Sequence, residues 1–269
     1  MTKGSSLKIY AIAYLLFLYA PIALLPVFAF NDSKVIAFPL SGFTTDWFAQ
    51  MWSDQQLWTA FKNSLTIALS SAVFATTLGI FAARATTRYQ FPGKAGIIGL
   101  VMLPLVLPEM IISMALLVIL IGIGVPLSIF TIILGHVLLC TPYAVAILSS
   151  AFQSLDRSLE EAAYDLGETP ASAFRLIILP LVMPGIISSL LIAFTISLDE
   201  FIIAYFLGGN QTVLSVYIFG QFRFPQKVPS IMALGFVLVC LSICLLTIAE
   251  YFRRRGIAKT GGKDTGGFL

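Results

Sequence analysis

Three carboxylates stand inside long apolar runs: Glu109 in "LPLVLPEMIIS", and Asp199 with Glu200 in "TISLDEFIIAYF". A charged side chain at mid-membrane costs roughly 2.5–3.5 kcal/mol on insertion scales, so a residue kept there is a candidate for function by default. Oxygen donors gathered at one depth suit a cation. Pro104 and Pro108 precede Glu109, and proline, having no N–H, frees backbone carbonyls that add acceptors. Phe201, Tyr205 and Tyr143 offer ring faces to an organic cation. The structural alternative pairs the acids with Lys or Arg of a second chain. Asp199 and Glu200 lie about 100° apart on a helix, so one of the two faces any pathway.

Other chemistry is missing. No GxxxxGK[ST] occurs, since Gly93-Lys94 lacks both the upstream glycine and the following hydroxyl residue. There is no HExxH and no GxSxG. The sole histidine, His136, sits within an apolar run and reads as a packed or hydrogen-bonded core residue. Cys140, Cys240 and Cys244 form no CxxC pair and read as apolar filling. The chain is therefore expected not to be an enzyme and to bind no metal or cofactor itself.

The elements that must position these acids are membrane helices. With 58% hydrophobic and 11% charged residues, the chain is outside the range of soluble domains, where charged residues reach about a quarter. Six spans are predicted: Leu7–Phe30, Ser64–Ala83, Ala95–Ile121, Leu127–Ser150, Leu181–Leu207 and Ser230–Phe252. Each has the roughly 20 apolar residues needed to cross a core of about 30 Å. The first is too long for a secretory leader and is expected to stay as a helix. With the N-terminus inside, all of the 16 basic residues except Lys34, Lys62, Arg223 and Lys227 fall on the cytoplasmic side, as the positive-inside rule requires. Both termini are then cytoplasmic. Spans three and five both run outward, and counting at about 1.5 Å per residue puts Glu109 and Asp199 at similar depth in the outer half. The pI near 8.8 reflects the basic flanks and does not call for nucleic acid.

The expected organisation is an N-terminal transmembrane helix over 1–30, an outer segment over 31–62, a five-helix body over 63–252 and a disordered cytoplasmic tail over 253–269. In the outer segment, "FTTDWFAQMWSDQQLW" reads as an interfacial helix anchored in lipid headgroups by Trp47, Trp52 and Trp58. The outer loop 208–229 is longer than a connection needs and could reach an external partner.

Within the body, the cytoplasmic loop 151–180 contains "EEAAYDLGETPASAFRLIILP". Ala162-Ala163 gives a small helical face, Gly167 a break, and Thr169-Pro170 a cap for a second helix. Phe174, Ile177 and Ile178 supply apolar contacts. Two short helices lying against a cytoplasmic partner is the physical reading. The spacing Glu161-Ala162-Ala163, Gly167, Ile177, Leu179, Pro180 fits EAA-x3-G-x9-I-x-L-P and closely resembles the motif of binding-protein-dependent ABC importer permeases. That resemblance, carried also by "NSLTIALSSA" and "LPLVMPGI", covers roughly residues 63–250. It implies an all-α type I importer permease in a bacterial inner membrane. The loop would form the coupling helix that docks on a separate ABC ATPase dimer, which uses ATP and Mg. A second homologous permease and an extracytoplasmic substrate-binding protein would complete the system. "FTTDWF", "RYQFPGK", the Pro-Glu pair of span three and "SLDEF" look most like spermidine/putrescine permeases, which implies a polyamine or similar small organic cation as substrate. Other members of the family move different organic solutes. An ion-coupled secondary carrier, with Glu109 and Asp199 as proton or sodium sites, is the alternative from another class.

Overall fold

Apolar runs separated by Pro, Gly and short polar turns become helices throughout. The computed structural model describes residues 3–260, with side chains for residues 7–244 and Thr247. In chain order the helices are α1 (Lys3–Ala29), α2 (Asp46–Ser53), α3 (Gln55–Arg88), α4 (Lys94–Met102), α5 (Glu109–Gly122) and α6 (Ile129–Gln153). They continue as α7 (Ser158–Asp165), α8 (Pro170–Ala173), α9 (Leu179–Asp199), α10 (Ile202–Leu207), α11 (Leu214–Gln221) and α12 (Val228–Thr260). Among the described residues there is no strand, only an isolated bridge between Asn31 and Phe43. Five helices are long and apolar enough to cross a membrane, and six if the bent pair α4–α5 counts as one span.

The described residues divide into two compact units, 55–217 and 3–54 with 218–260. In the first, α3, α6 and α9 pack on one another. Lipid tails are as apolar as side chains, so helices associate there through close approach of small residues and polar contacts. The buried face of α3 carries Ser64, Ala68, Ala72, Ala75, Thr76, Gly79 and Ala83. A Cβ at Gly79 would lie 2.8 Å from the Cβ of Ala144, so even alanine would push α3 away from α6. The hydroxyls of Thr76 and Ser189 bond across α3 and α9 at 3.1 Å. At about 50 Å, α3 exceeds the hydrocarbon core. It begins at Gln55 rather than at the expected Ser64 because Gln55, Gln56, Lys62 and Asn63 are helical yet too polar for a hydropathy window.

In the second unit, α12 packs on both α1 and α2. The segment between α1 and α2 is pinned to its own chain. Asn31 Oδ1 accepts the Ser41 N–H at 3.0 Å, and the Trp47 indole N–H donates to the Asn31 carbonyl at 2.8 Å. The Phe30 ring stacks on Phe43 and leans on Phe48 and Phe236. The single interfacial helix expected here is split. Trp47 and Trp52 sit on α2, extended backbone at Asp54 ends it, and Trp58 belongs to α3, where its ring meets Phe61 edge-on. The last helix runs through Thr260, so residues 253–260 are helical where a disordered tail was expected. Arg and Lys are good helix formers, and hydropathy marks where apolar sequence ends rather than where helix ends. The rest of that tail, 261–269, lies outside the described residues.

Candidate functional site

Two broken helices build the site. The third run does not continue straight from Ala95 to Ile121 but bends by 104° between Lys94–Leu105 and Glu109–Gly122. Pro104 and Pro108 cannot donate to the helical ladder. It restarts where the N–H groups of Ile111 and Ile112 reach the Pro108 carbonyl at 2.9 and 3.3 Å. Glu109 is thereby the first residue of α5, beside N–H groups that carry partial positive charge. The fifth run, expected to reach Leu207, also breaks. Helix α9 ends at Asp199, Glu200 is extended with ψ 126°, and α10 starts afresh at Ile202. Asp199 therefore sits beside the last carbonyls of α9, which carry partial negative charge.

Because both runs break, counting along straight helices does not locate the two acids; the recess they line does. Both acids line one recess of about 500 Å³, together with Leu139, Thr195, Ile196, Glu200, Phe201 and Ile202. That volume lies within the roughly 300–1,000 Å³ of small-molecule sites. Neither Glu109 nor Asp199 makes an ion pair among the described residues. Glu200 is different. Its carboxylate faces inward and accepts the N–H groups of Ile202 and Ile203, each at 2.9 Å. His136 is the hydrogen-bonded core histidine expected, with Nδ1 2.7 Å from Ser197 Oγ. Of the three aromatics, only Phe201 lines the recess. Tyr205 touches it indirectly, its ring 5.5 Å from that of Phe201. Tyr143, on α6, is not brought to the recess. Among the described residues, no group of three or more His, Cys, Asp or Glu is arranged to hold a metal ion.

The second feature is the loop 151–180. Helix α7 carries Glu161, Ala162 and Ala163 and closes at Gly167, where φ is +85°. The Glu168 N–H reaches the Ala163 carbonyl at 3.0 Å, and the Gly167 N–H reaches Tyr164 at 2.9 Å. This paired arrangement ends a helix only when the turning residue tolerates the left-handed region. Thr169 then caps α8 by accepting the Ser172 N–H at 3.2 Å, as its position before Pro170 predicts. A π turn over Phe174–Ile178 leads into α9 with Leu179 and Pro180.

The loop is tied to the end of α3. Arg88 Nε lies 2.8 Å from Glu160 Oε1, with the two side chains only 10% and 13% exposed. Arg88 also donates to the Leu155 carbonyl at 3.1 Å, and Arg84 lies over the Phe174 ring, 4.3 Å from its centroid. Ser158 donates its backbone N–H to Asp156, holding that carboxyl below the usual range. Of the apolar residues expected to face a partner, Phe174, Ile177 and Leu179 are half-buried. Ala163 and Ile178 are buried, and Ile178 packs with Leu148, Phe152 and Val182. What the loop exposes is Glu161, Ala162, Leu159, Tyr164, Leu176 and above all Leu166, at 86%. Leu166 was legible in principle: a leucine just before a helix-ending glycine has no helical face to bury it.

A family model described as the binding-protein-dependent transport system inner membrane component matches residues 75–256. The chain belongs to this family. The permease is 40% identical over 227 residues to the putrescine transport system permease protein PotI of Escherichia coli (strain K12), covering 81% of this chain and 80% of PotI. It is 31% identical over 240 residues to the spermidine/putrescine transport system permease protein PotC of Haemophilus influenzae, covering 89% of this chain and 93% of PotC. Its fold matches a crystallised bacterial ABC transporter involved in the import of the acidic polysaccharide alginate. There the TM-score is 0.68 at 23% identity, covering 93% of this chain and 94% of the other. The permease thus has the all-α type I importer fold and is an inner-membrane protein, and its relatives are transport permeases rather than enzymes. Family membership decides against the ion-coupled secondary carrier.

Proposed function

We propose that this permease forms part of an ATP-driven importer for a polyamine, putrescine or spermidine, or a similar small organic cation. The observation that carries the reading is Asp199, a carboxylate at the carbonyl end of α9, sharing a recess with Glu109 and having no basic partner among the described residues. Both the side chain and the helix end are negative, which favours an ammonium group and disfavours an anion. The relatives named for putrescine and spermidine transport support the same substrate class.

The loop 151–180 is the docking element for a separate ATPase dimer, which uses ATP and Mg, while this chain binds no cofactor. Its exposed Leu166, Tyr164 and Leu176 form the apolar contact, and the Arg88–Glu160 pair and the Arg84–Phe174 contact carry motion into α3. Both termini and this loop lie in the cytoplasm. A second homologous permease completes the pathway, an extracytoplasmic binding protein delivers the amine, and lipid surrounds the whole.

Reconstitution of the four components in liposomes tests this. ATP-dependent uptake of labelled putrescine or spermidine, with no uptake of a neutral diol of similar length, is the expected result. Uptake of the diol but of neither amine would overturn the substrate class. Gly167→Val places a β-branched residue at positive φ. It should leave the complex assembled while abolishing the uptake that accompanies ATP hydrolysis, and normal uptake would remove the loop from coupling.

A further inference from the structure

Glu200 is the one acid of the recess whose carboxylate is already engaged. Its side chain is 3% exposed. Oε1 accepts the Ile202 N–H at 2.9 Å, and Oε2 accepts those of Ile203 and Ala204 at 2.9 and 3.4 Å. These are the first N–H groups of α10, which no carbonyl within that helix can reach. His136 Nε2 stands 3.5 Å from Oε2. The histidine ring is fixed on its other side by Ser197 Oγ, 2.7 Å from Nδ1. The Ser215 hydroxyl donates to the Glu200 carbonyl at 3.0 Å. Residues from α6 and α11 therefore reach Glu200 directly, and Ser197 of α9 reaches it through His136, at the point where the fifth run breaks.

Turning this carboxylate toward a bound cation would strand three N–H groups in a water-poor interior, each at the cost of an unmade hydrogen bond. Asp199 carries no such obligation, for it makes no side-chain hydrogen bond or ion pair among the described residues. Adjacent in sequence, the two acids are committed to different tasks.

We propose that Glu200 is a positioning residue that takes no part in holding the transported cation. It locks the break between α9 and α10, which leaves Asp199 at a helix end facing the recess, and His136 holds Glu200 in place. The inference rests on the reading of Glu109 and Asp199 as cation ligands.

The test separates affinity from turnover in the assembled ATPase–permease complex, using labelled putrescine. Glutamine at 200 keeps one accepting oxygen and replaces the other with an amide that cannot accept, so α10 loses at least one N–H partner. Glu200→Gln is expected to slow ATP-driven uptake per complex roughly three- to tenfold, while equilibrium binding of putrescine stays within about twofold. His136→Ala should act in the same direction. His136→Gln, whose amide can donate to Glu200, should restore most of the rate. Asp199→Asn is the reference and should weaken binding. If Glu200→Gln weakens binding as much as Asp199→Asn does, Glu200 is a ligand and the inference is overturned. Wild-type uptake by both Glu200→Gln and His136→Ala also overturns it. If Glu200→Gln does not assemble, the His136 pair decides: equal rates for alanine and glutamine count against a positioning role. If no variant changes binding but Glu200→Gln and His136→Ala still slow uptake, the cation reading fails while the lock survives.

Discussion

Glu160 and Asp199 are both carboxylates at helix ends, and the chain treats them in opposite ways. Glu160 lies in the first turn of α7, where the helix dipole favours an anion, and Arg88 Nε stands 2.8 Å from it. Asp199 is the last residue of α9, where the dipole disfavours an anion, and no Lys, Arg or His pairs with it among the described residues. The loop acid is paired within the fold and serves to fasten α7 to α3. The recess acid is left without a basic partner within a long apolar run, where charge is expensive. A fold that spends favourable electrostatics on the first and withholds it from the second has a use for an external cation at the second.

Charge reversal sharpens this contrast most. Asp199→Lys sets a fixed ammonium where a mobile one should bind, and putrescine uptake per assembled complex should fall by at least about a hundredfold. Uptake within a few-fold of wild type would mean that Asp199 lies off the pathway. Next comes the loop pair. Arg88→Ala leaves the largely buried Glu160 carboxylate without its partner and should destabilise the complex by about 1.5–3 kcal/mol, seen as a lower melting temperature. Adding Glu160→Gln should recover part of that loss, because the orphaned charge is gone. A double variant no better than Arg88→Ala would show that Arg88 acts through Leu155 rather than through the pair. The smallest effect belongs to Asp156, which is fully exposed. Its carboxyl is held below the usual range by the Ser158 N–H. Its contribution is present above the ordinary carboxylate pKa and is lost as pH falls through the lowered folded value. Asp156→Asn should change uptake at neutral pH by less than about twofold, and any acid-dependent difference from wild type should shrink as pH falls below that value.

The loop was legible in the sequence because each of its signals is local. Gly167 at positive φ and Thr169 bonding Ser172 follow from the conformational limits of neighbouring residues. What local signals did not show was which way the apolar residues turn. Ile178 points into the core because Ala83 of α3 and Leu148 and Phe152 of α6 pack against it, contacts between segments far apart in sequence. The recess shows the same division. The acids stood out as costly charges in apolar runs, and the prolines before Glu109 announced one break. Nothing local announced the other, since "LDEFII" has neither proline nor glycine. That break exists because the Glu200 carboxylate takes over the N–H groups of α10, with His136 brought alongside from 64 positions earlier (200 − 136). Hydropathy likewise missed the polar first turns of α3, so Trp58 was assigned to the wrong helix.

The central claim is that Asp199 and Glu109 hold the transported cation within the membrane domain. Equilibrium binding of labelled putrescine to the purified ATPase–permease complex, without the binding protein, tests it most directly. A charge-assisted hydrogen bond contributes roughly 1.5–3 kcal/mol, so Asp199→Asn and Glu109→Gln should each weaken binding about tenfold to a hundredfold at unchanged yield of complex. Wild-type affinity in both variants, or loss of complex in step with loss of binding, would contradict it.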